Sequence, residues 1–224
     1  MLEQVGVLIL AAGSSSRMGR PKMLLPAPQG NVLKQTISQV LSAGPLHTAV
    51  IAAEQGPVRR EHIAGLPVEW LETDRARQGL GASLSAGIGA LAGNRSLGIR
   101  SIMVLLGDQP LIDPQIIRRV AERYLETGDL IVQAKYTDRP AHPVLFDSAL
   151  FPELQNLSGD EGARSLLRAF KSRISYVDAD CKAPDDIDTP EDYEKYIRQA
   201  MNMNDEINGE GPSGKRTDLK RSRL

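Results

Sequence analysis

Two cationic side chains that follow a short apolar run are the first residues in this sequence whose types and spacing could do chemistry. Arg17 and Lys22 share one loop with the small residues 11–13, directly after the apolar run 5–10. Small residues let backbone N–H groups approach a polyphosphate closely. An arginine can fork onto phosphate oxygens, and a lysine adds a compact positive charge. The combination predicts a polyphosphate-binding loop, and a flexible surface loop with two solvated cations is the alternative.

The spacing of the glycines excludes the best-known phosphate loop. A P-loop needs glycine, four residues, and then Gly-Lys followed by Ser or Thr. Here five residues separate Gly13 from Gly19, and Arg20 follows Gly19. These glycines are also more widely spaced than those of the dinucleotide-binding fingerprint. A polyphosphate bound here is therefore expected in a loop of a different kind.

Aspartates at two later positions could hold a metal ion. Asp108 lies in Gly107-Asp108-Gln109-Pro110, directly after the apolar run 101–106, and Asp188 lies in the acidic stretch 185–192. Mg²⁺ prefers oxygen ligands, commonly one or two carboxylates together with phosphate oxygens. Each segment also has a structural alternative, because Gly, Asp and Pro favour turns and acidic residues favour helix N-termini.

The elements that must position these side chains alternate along the chain. Short apolar runs rich in branched residues predict strands over residues 5–10, 47–53, 68–71, 101–106, 130–135, 144–146 and 174–177. Helical apolar spacing and N-cap signals predict helices over residues 32–43, 57–64, 79–91, 114–125, 162–170 and 191–201. The alternation predicts a single α/β domain of three layers, in which helices cover both faces of a mostly parallel, Rossmann-like sheet. Such sheets bind ligands beyond the carboxyl ends of their strands, where both candidate segments begin.

The composition is that of an ordinary globular domain. Of the 224 residues 41% are hydrophobic, the formal net charge is −1, and there is one cysteine. This charge balance creates no field that attracts nucleic acid, and no apolar run approaches the roughly 20 residues of a membrane helix. We expect a cytoplasmic protein with one folded domain over residues 1–201 and a disordered polar tail over residues 202–224.

These segments together resemble a known family. The stretch from Leu10 to Lys22 follows the pattern L-A-A-G-x-S-x-R-M-G-x-x-K, which is typical of the MobA-like nucleotidyltransferases. The later stretches 79–84, 139–144 and 159–164 make the chain most similar to the molybdenum cofactor cytidylyltransferases, including accessory proteins of xanthine dehydrogenase-type enzymes. The resemblance runs from about Val5 to Tyr196 and implies the fold of the nucleotide-diphospho-sugar transferases.

The resemblance also implies roles for individual residues. The residues implied to bind the nucleotide are Leu10, Ala11, Ala12, Gly13, Arg17, Lys22, Gly79, Gly81 and Ser83. The catalytic residues implied are Arg17, Lys22 and Asp108, and the ligands implied for Mg²⁺ are Asp108 and Asp188. The residues implied to face the acceptor are His142, Asp160 and Arg164.

The implied activity is transfer of CMP from CTP to molybdopterin, with release of pyrophosphate and later contact with a molybdoenzyme or its chaperone. Ala12 favours cytosine, because the guanylyltransferases of this family usually have Leu-Ala-Gly-Gly at the position of residues 10–13. Two alternatives remain open. One is a nucleotidyltransferase that uses GTP or another nucleotide and a different phosphorylated acceptor, such as a phosphosugar or methylerythritol phosphate. The other is a non-catalytic protein that delivers the cofactor.

Overall fold

The computed structural model describes residues 4–13, 15, 17–44 and 46–207, with the backbone alone for residues 203–207. Within these residues the strands β1 to β9 are, in chain order, Val5–Leu10, Pro26–Ala27, Gly30–Asn31, His47–Ala53, Glu69–Thr73, Ser101–Leu106, Ile131–Lys135, Pro140–Asp147 and Ile174–Asp178. The helices α1 to α6 of the same residues are Val32–Ser42, Leu80–Gly93, Pro114–Thr127, Phe151–Gln155, Arg164–Ala169 and Pro190–Ile207.

Seven of these strands form one sheet in the order β5-β4-β1-β6-β8-β7-β9, and β2 pairs with β3 in a small separate hairpin. The pairs β5–β4, β4–β1, β1–β6 and β7–β9 are parallel. Strand β8 is antiparallel to both of its neighbours, β6 and β7. The sheet is thus mostly parallel, and the carboxyl ends of β1, β4, β5 and β6 lie along the same edge.

Alternation of side chains across the sheet creates two cores, one on each face. On β1, Val7 and Ile9 belong to one cluster with the buried residues of α1 and α3. Leu8 and Leu10 belong to the other, with residues of α2, α4 and α5. Because both faces of the central strands are covered, the chain has the three-layer α/β architecture that the sequence predicted. Helix α6 packs beside these layers, against a smaller apolar cluster that includes Met18 and Leu25.

Side-chain caps fix where two of the helices begin. The side chain of Asn31 accepts a hydrogen bond from the backbone N–H of Lys34 (2.8 Å) at the start of α1. Asp113 caps α3 in the same way through Gln115 N–H (2.8 Å), and Pro114 occupies the first turn. Each cap satisfies an N–H group that has no partner inside the helix. The predicted cap at Asp113 is thereby confirmed.

Two predicted segments differ most from the structure. The helix predicted over residues 57–64 is wrong, because only the 3₁₀ turn Arg60–Ile63 forms there. Its buried apolar residues, Val58 and Ile63, are five positions apart and do not make a helical stripe. The last helix continues to Ile207, so it enters the segment for which we expected a disordered tail. Residues 208–224 lie outside the described residues, and for them the tail stays a prediction.

Among the described residues, no helix is both long enough and apolar enough to cross a membrane.

Two glycines of α2 provide a test of how tightly this helix packs on the sheet. A Cβ atom at Gly87 would lie 2.5 Å from Cδ2 of the fully buried Leu8, whereas a Cβ at Gly89 would meet nothing within 4 Å. Alanine favours a helix over glycine by about 1 kcal/mol at either position. Overpacking at Gly87 opposes that gain, so we expect Gly87→Ala to be less stable than Gly89→Ala by about 1–3 kcal/mol. Urea unfolding of both variants measures the difference, and equal stabilities would contradict the packing described here.

Candidate active site

A cleft of about 910 Å³ opens at the carboxyl edge of the sheet. The last residues of four parallel strands line it, namely Leu10 of β1, Ala53 of β4, Thr73 of β5 and Leu106 of β6. The other lining residues are Ala11, Ala12, Gly13, Lys22, Met23, Glu54, Gln55, Gly56, Pro57, Val58, Asp74, Ala76, Arg77, Gly79, Leu80, Ser83, Asp108 and Asp160. The ligand site predicted at this edge therefore corresponds to a real concavity.

The loop after β1 presents small residues to the cleft. The N–H of Ala11 still donates to the carbonyl of Ile51 (2.9 Å), which continues the pairing of β1 with β4 for one more residue. Ala12 is half-buried, and a Cβ added to Gly13 would meet no atom within 4 Å, so the backbone is open to a ligand at this point. Ser14 and Ser16 lie outside the described residues.

Four charged side chains meet beside this loop. The Nζ atom of Lys22 contacts a carboxylate oxygen of Asp108 and lies 2.7 Å from Oδ1 of Asp188. The other oxygen of Asp188, Oδ2, lies 2.7 Å from Nη2 of Arg17. The side chains of Lys22 and Asp108 are only 11% and 10% exposed, whereas that of Arg17 is 71% exposed. The sequence placed these residues at one site, and the structure brings all four together.

Hydrogen bonds to the backbone hold Asp108 at the end of β6. The preceding Gly107 donates its N–H to the carbonyl of Leu10 (3.0 Å) and accepts from the hydroxyl of Thr36 (2.9 Å). The carbonyl of Asp108 itself accepts from the N–H of Ile187 (3.1 Å). This last bond joins the end of β6 to the segment that carries Asp188.

The first turn of α6 holds Asp188. The carboxylate of Asp192 accepts hydrogen bonds from the N–H groups of Asp188 (3.1 Å) and Thr189 (2.8 Å), and the N–H of Asp192 donates to the Thr189 hydroxyl (3.2 Å). This reciprocal arrangement is a capping box with aspartate in the third helical position. Asp192 thus has the helix-capping role that was the structural alternative for this stretch, while Asp188 faces Lys22.

The environment of the pair shifts the pKa values of both partners. Burial alone lowers the pKa of the Lys22 ammonium, but the charges and hydrogen bonds of Asp108 and Asp188 outweigh burial and raise it above its usual value. Burial raises the pKa of the Asp108 carboxyl, and the positive charge of Lys22 offsets this only in part. Lys22 therefore stays protonated, and the charge of Asp108 depends on having a cation beside it.

The acidic pair fits the expected divalent cation. No group of three or more His, Cys, Asp or Glu side chains converges to hold a metal within residues 4–207 as far as they are described. Asp108 and Asp188 nevertheless converge on one point, which the Lys22 ammonium marks as a place where positive charge is stable. Mg²⁺ commonly takes only one or two protein carboxylates and completes its shell with phosphate and water oxygens. Two carboxylates beside an open cleft are compatible with that pattern.

The glycine-rich start of α2 packs against a distant loop. The N–H of Gly81 donates to the carbonyl of Gly159 (2.8 Å), and a Cβ on Gly81 would lie 2.7 Å from the carbonyl oxygen of Ser158. A Cβ on Gly79, whose φ is +101°, would lie 2.4 Å from Oδ1 of Asp160. Gly79 lines the cleft, but Gly81 is buried under the loop instead. In the described structure, Gly81 therefore packs against this loop and does not line the cleft.

The three predicted acceptor residues lie in different places. Asp160 lines the cleft, on the side of Gly79. Arg164 is exposed at the start of α5 and is not part of the lining. His142 lies in β8, also outside the lining, with Nδ1 3.2 Å from the carbonyl oxygen of Val104. Burial lowers the pKa of His142, so the neutral imidazole is favoured.

The segments 54–58 and 73–77 line the cleft, although no motif drew attention to them. They contribute the charged residues Glu54, Asp74 and Arg77. Their shared signal in the sequence is position, since each follows the end of a predicted strand, where parallel sheets bind ligands. The segment 73–77 also carries three charged residues within five positions, Asp74, Arg75 and Arg77, and this cluster is a signal that could have pointed to it.

A family model and several known proteins match this chain. The model described as MobA-like NTP transferase domain matches residues 7–175. PucB, a purine catabolism protein of Bacillus subtilis, is 30% identical over 215 residues, which cover 88% of this chain and 97% of PucB. The nicotine blue oxidoreductase of Paenarthrobacter nicotinovorans is 29% identical over 197 residues, covering 82% of this chain and 92% of that protein. The molybdenum cofactor cytidylyltransferase of Escherichia coli is 24% identical over 193 residues, covering 86% and 95%.

Solved structures match the fold over most of its length. Rv0371c of Mycobacterium tuberculosis superposes with a TM-score of 0.76 at 29% identity, and the match covers 87% of this chain and 97% of that one. A structure of Rv0371c in complex with manganese gives a TM-score of 0.72 at 26% identity, covering 87% and 98%.

Replacement of Lys22 tests how much the buried charges of Lys22 and Asp108 stabilise each other in the folded protein. We expect Lys22→Met to lower the free energy of unfolding by about 3 kcal/mol near neutral pH, because Asp108 is left buried without its main counter-charge. The pKa of Asp108 then rises further above its unfolded value of about 3.9. An acidic group whose pKa is higher in the folded than in the unfolded protein lowers the free energy of unfolding as the pH rises from the unfolded pKa to the folded pKa.

The loss in Lys22→Met should therefore be smaller near pH 5 than near pH 8, as measured by denaturant unfolding relative to the unsubstituted chain. The double variant Lys22→Met/Asp108→Asn serves as the control, because it has no carboxyl at position 108 and should recover most of the stability. A loss that is independent of pH in the single variant, or equal in both variants, would contradict this account.

Proposed function

The chain belongs to the MobA-like NTP transferase family, and from that premise we propose that it transfers CMP from CTP to molybdopterin. The products are molybdopterin cytosine dinucleotide, for xanthine dehydrogenase-type molybdoenzymes, and pyrophosphate. The observation that carries the proposal is the meeting of Lys22, Arg17, Asp108 and Asp188 beside a cleft of about 910 Å³ at the carboxyl edge of the sheet. Similarity to the molybdenum cofactor cytidylyltransferase of Escherichia coli supports the choice of substrates.

The proposed reaction needs no nucleophile from the protein. An oxygen of the terminal phosphate of molybdopterin attacks the α-phosphorus of CTP, and the bond from that phosphorus to the bridging oxygen of the β-phosphate breaks. Pyrophosphate leaves with the electron pair, in line with the attacking oxygen. Positioning of the two phosphates and stabilisation of their charge then supply most of the rate.

The cationic side chains have the right chemistry for the leaving group. Arg17 is largely exposed and can fork onto two phosphate oxygens. Lys22 lines the cleft and carries a single ammonium charge, which is paired with Asp108 and Asp188 in the structure. In this proposal both steady the negative charge that accumulates on pyrophosphate as the bond breaks.

Asp108 and Asp188 are the residues that would hold Mg²⁺. A bound Mg²⁺ would draw charge from the phosphate oxygens and so lower the barrier to attack at phosphorus. The backbone of Asp108 is fixed by the hydrogen-bonded end of β6 and that of Asp188 by the cap of α6, so the positions from which both carboxylates extend are set before any ligand arrives. The manganese complex of Rv0371c is consistent with a divalent cation in a protein of this fold.

The remaining parts of the proposal concern the base, the acceptor and delivery. Ala12 lines the cleft, and it stands at the sequence position where the cytidylyltransferase and guanylyltransferase branches of the family differ. This supports CTP as the nucleotide substrate. Asp160 lies on the side of the cleft where we place the acceptor. We also propose that the protein works in the cytoplasm and contacts a molybdoenzyme or its chaperone briefly, because the product must be handed on.

The substrate assignment is tested by measuring pyrophosphate release with CTP, GTP, ATP and UTP, each with and without molybdopterin. We expect release with CTP only when molybdopterin is present. Release with another nucleotide or another phosphorylated acceptor would keep the transferase and overturn its substrates. No release under any condition would leave the non-catalytic delivery protein. The assay also distinguishes nucleotidyl transfer from a redox reaction, which is the activity that the name of the Paenarthrobacter relative describes. A redox reaction releases no pyrophosphate.

Replacement of Asp108 tests the site itself. We expect Asp108→Asn to lower kcat/KM for pyrophosphate release by about 10²–10³-fold, because the amide cannot supply the negative charge that holds the cation. Asp180→Asn is the matched control, since Asp180 is exposed and lies outside the cleft lining, and it should retain full activity. Circular dichroism of both variants confirms that they are folded. Unchanged turnover in folded Asp108→Asn would refute the proposed role.

Replacement of Ala12 tests how the base is chosen. Ala12→Gly recreates the Leu-Ala-Gly-Gly sequence and removes one methyl group from the cleft wall. A single methyl or methylene group changes discrimination by about 10-fold or more. We therefore expect the ratio of kcat/KM for CTP to that for GTP to fall by about 10-fold. Competition between the two nucleotides in one reaction measures this ratio, and an unaltered ratio would show that Ala12 does not select the base.

A further inference from the structure

The buried ammonium of Lys22 occupies the one point on which both acidic side chains converge. It contacts Asp108 and lies 2.7 Å from Asp188, and its side chain is only 11% exposed. Under the proposed function, the same two carboxylates hold a divalent cation and the same lysine binds the triphosphate. Lys22 cannot meet both demands from its present position, because an ammonium and a dication at one point repel each other strongly.

We propose that Lys22 acts as a tethered substitute for the divalent cation, which it replaces in the free protein and releases to the cleft when the cation binds. This inference rests on the proposed function and adds to it a coupling between metal binding and triphosphate binding. In the free protein, the charges of Arg17, Lys22, Asp108 and Asp188 sum to zero. When the cation takes over the carboxylates, the positive charge of Lys22 becomes available for a new partner.

The surrounding structure allows this exchange with movement of the side chain alone. The backbone of Lys22 is fixed at both of its polar groups, because its N–H donates to the hydroxyl of Ser15 (3.2 Å) and its carbonyl accepts from the N–H of Leu25 (3.2 Å). Lys22 also lines the cleft, so its flexible stem reaches both the carboxylates and the space where we place the phosphates.

Coupling follows from this competition. A triphosphate that arrives alone must draw Lys22 away from two carboxylates, and a cation that arrives alone must displace it. After either ligand has moved Lys22, the other no longer bears that cost. Each ligand should therefore raise the affinity for the other by the same factor, as linkage requires.

The first experiment uses the unsubstituted chain and Mn²⁺, with no nucleotide or acceptor. Acetylation of lysines by an N-hydroxysuccinimide ester is followed by mass spectrometry, while electron paramagnetic resonance of free Mn²⁺ reports how much has bound. We expect bound Mn²⁺ to speed acetylation of Lys22 by about 10-fold, which is within the usual range for coupled sites. Lys135 is the internal control, because its side chain is exposed and its ion pair with Asp178 lies outside the charge cluster of the site, and its rate should not change. An unchanged or slower rate at Lys22 with Mn²⁺ bound, or no bound Mn²⁺, would overturn the proposal.

The second experiment measures Mn²⁺ affinity of Lys22→Met and Lys135→Met by the same resonance method, again without nucleotide. Removal of the tethered ammonium leaves the carboxylates without a competitor, so Lys22→Met should bind Mn²⁺ about 10-fold more tightly than the unsubstituted chain. Lys135→Met should bind it equally well. Equal or weaker binding by folded Lys22→Met would contradict the exchange. The acetylation experiment decides the question if Lys22→Met does not fold.

These measurements are independent of the proposed substrates. If the Mn²⁺ results are as expected but CTP and molybdopterin give no pyrophosphate, the exchange stands and the substrate assignment fails. If cytidylyl transfer occurs but Lys22 does not respond to Mn²⁺, the function stands and the exchange fails.

Discussion

The contact of one lysine with two aspartates is the interaction on which the candidate site depends. Lys22, Asp108 and Asp188 come from three parts of the chain that meet only in the folded protein. Burying these charges costs several kcal/mol for each ion, and the cost is offset only when the partners are close and well oriented. The hydrogen bonds around Gly107, Ile187 and Asp192 provide that orientation. Much of the local backbone structure can therefore be understood as a support for three charged side chains.

The direction of the strands in the sheet determines where such a cluster of charged side chains can form. Parallel strands end along one edge, and the loops that follow β1, β4, β5 and β6 surround a single concavity there. Strand β8 runs the opposite way between β6 and β7. The parallel strands beyond it, β7 and β9, contribute no residue to the cleft lining among the described positions. The antiparallel strand thus divides the sheet into a half that forms the cleft and a half that extends the core.

Local patterns predicted most of the strands and helices well, because these elements leave a signal within a few positions. Branched apolar runs predicted β1, β4 and β6 at their observed bounds, and the pair Asp113-Pro114 predicted the start of α3. Contacts between distant segments left no such signal. The packing of Gly81 under Ser158 and Gly159 cannot be read from either segment alone, and the family resemblance implies a role in nucleotide binding for Gly81 instead. The cleft residues 54–58 were missed for the same reason, and the family resemblance supplied roles that spacing alone left open.

The cap at the start of α6 gives the end of the domain a direct part in the site. Asp192 fixes the backbone of Asp188, and Asp188 meets a lysine 166 positions earlier in the chain. During synthesis on the ribosome, Lys22 and Asp108 emerge long before their third partner. Until Asp188 and the first turn of α6 have left the exit tunnel, the charge cluster is incomplete. The growing polypeptide therefore acquires its full set of charged groups only after every strand of the sheet described here has been synthesised.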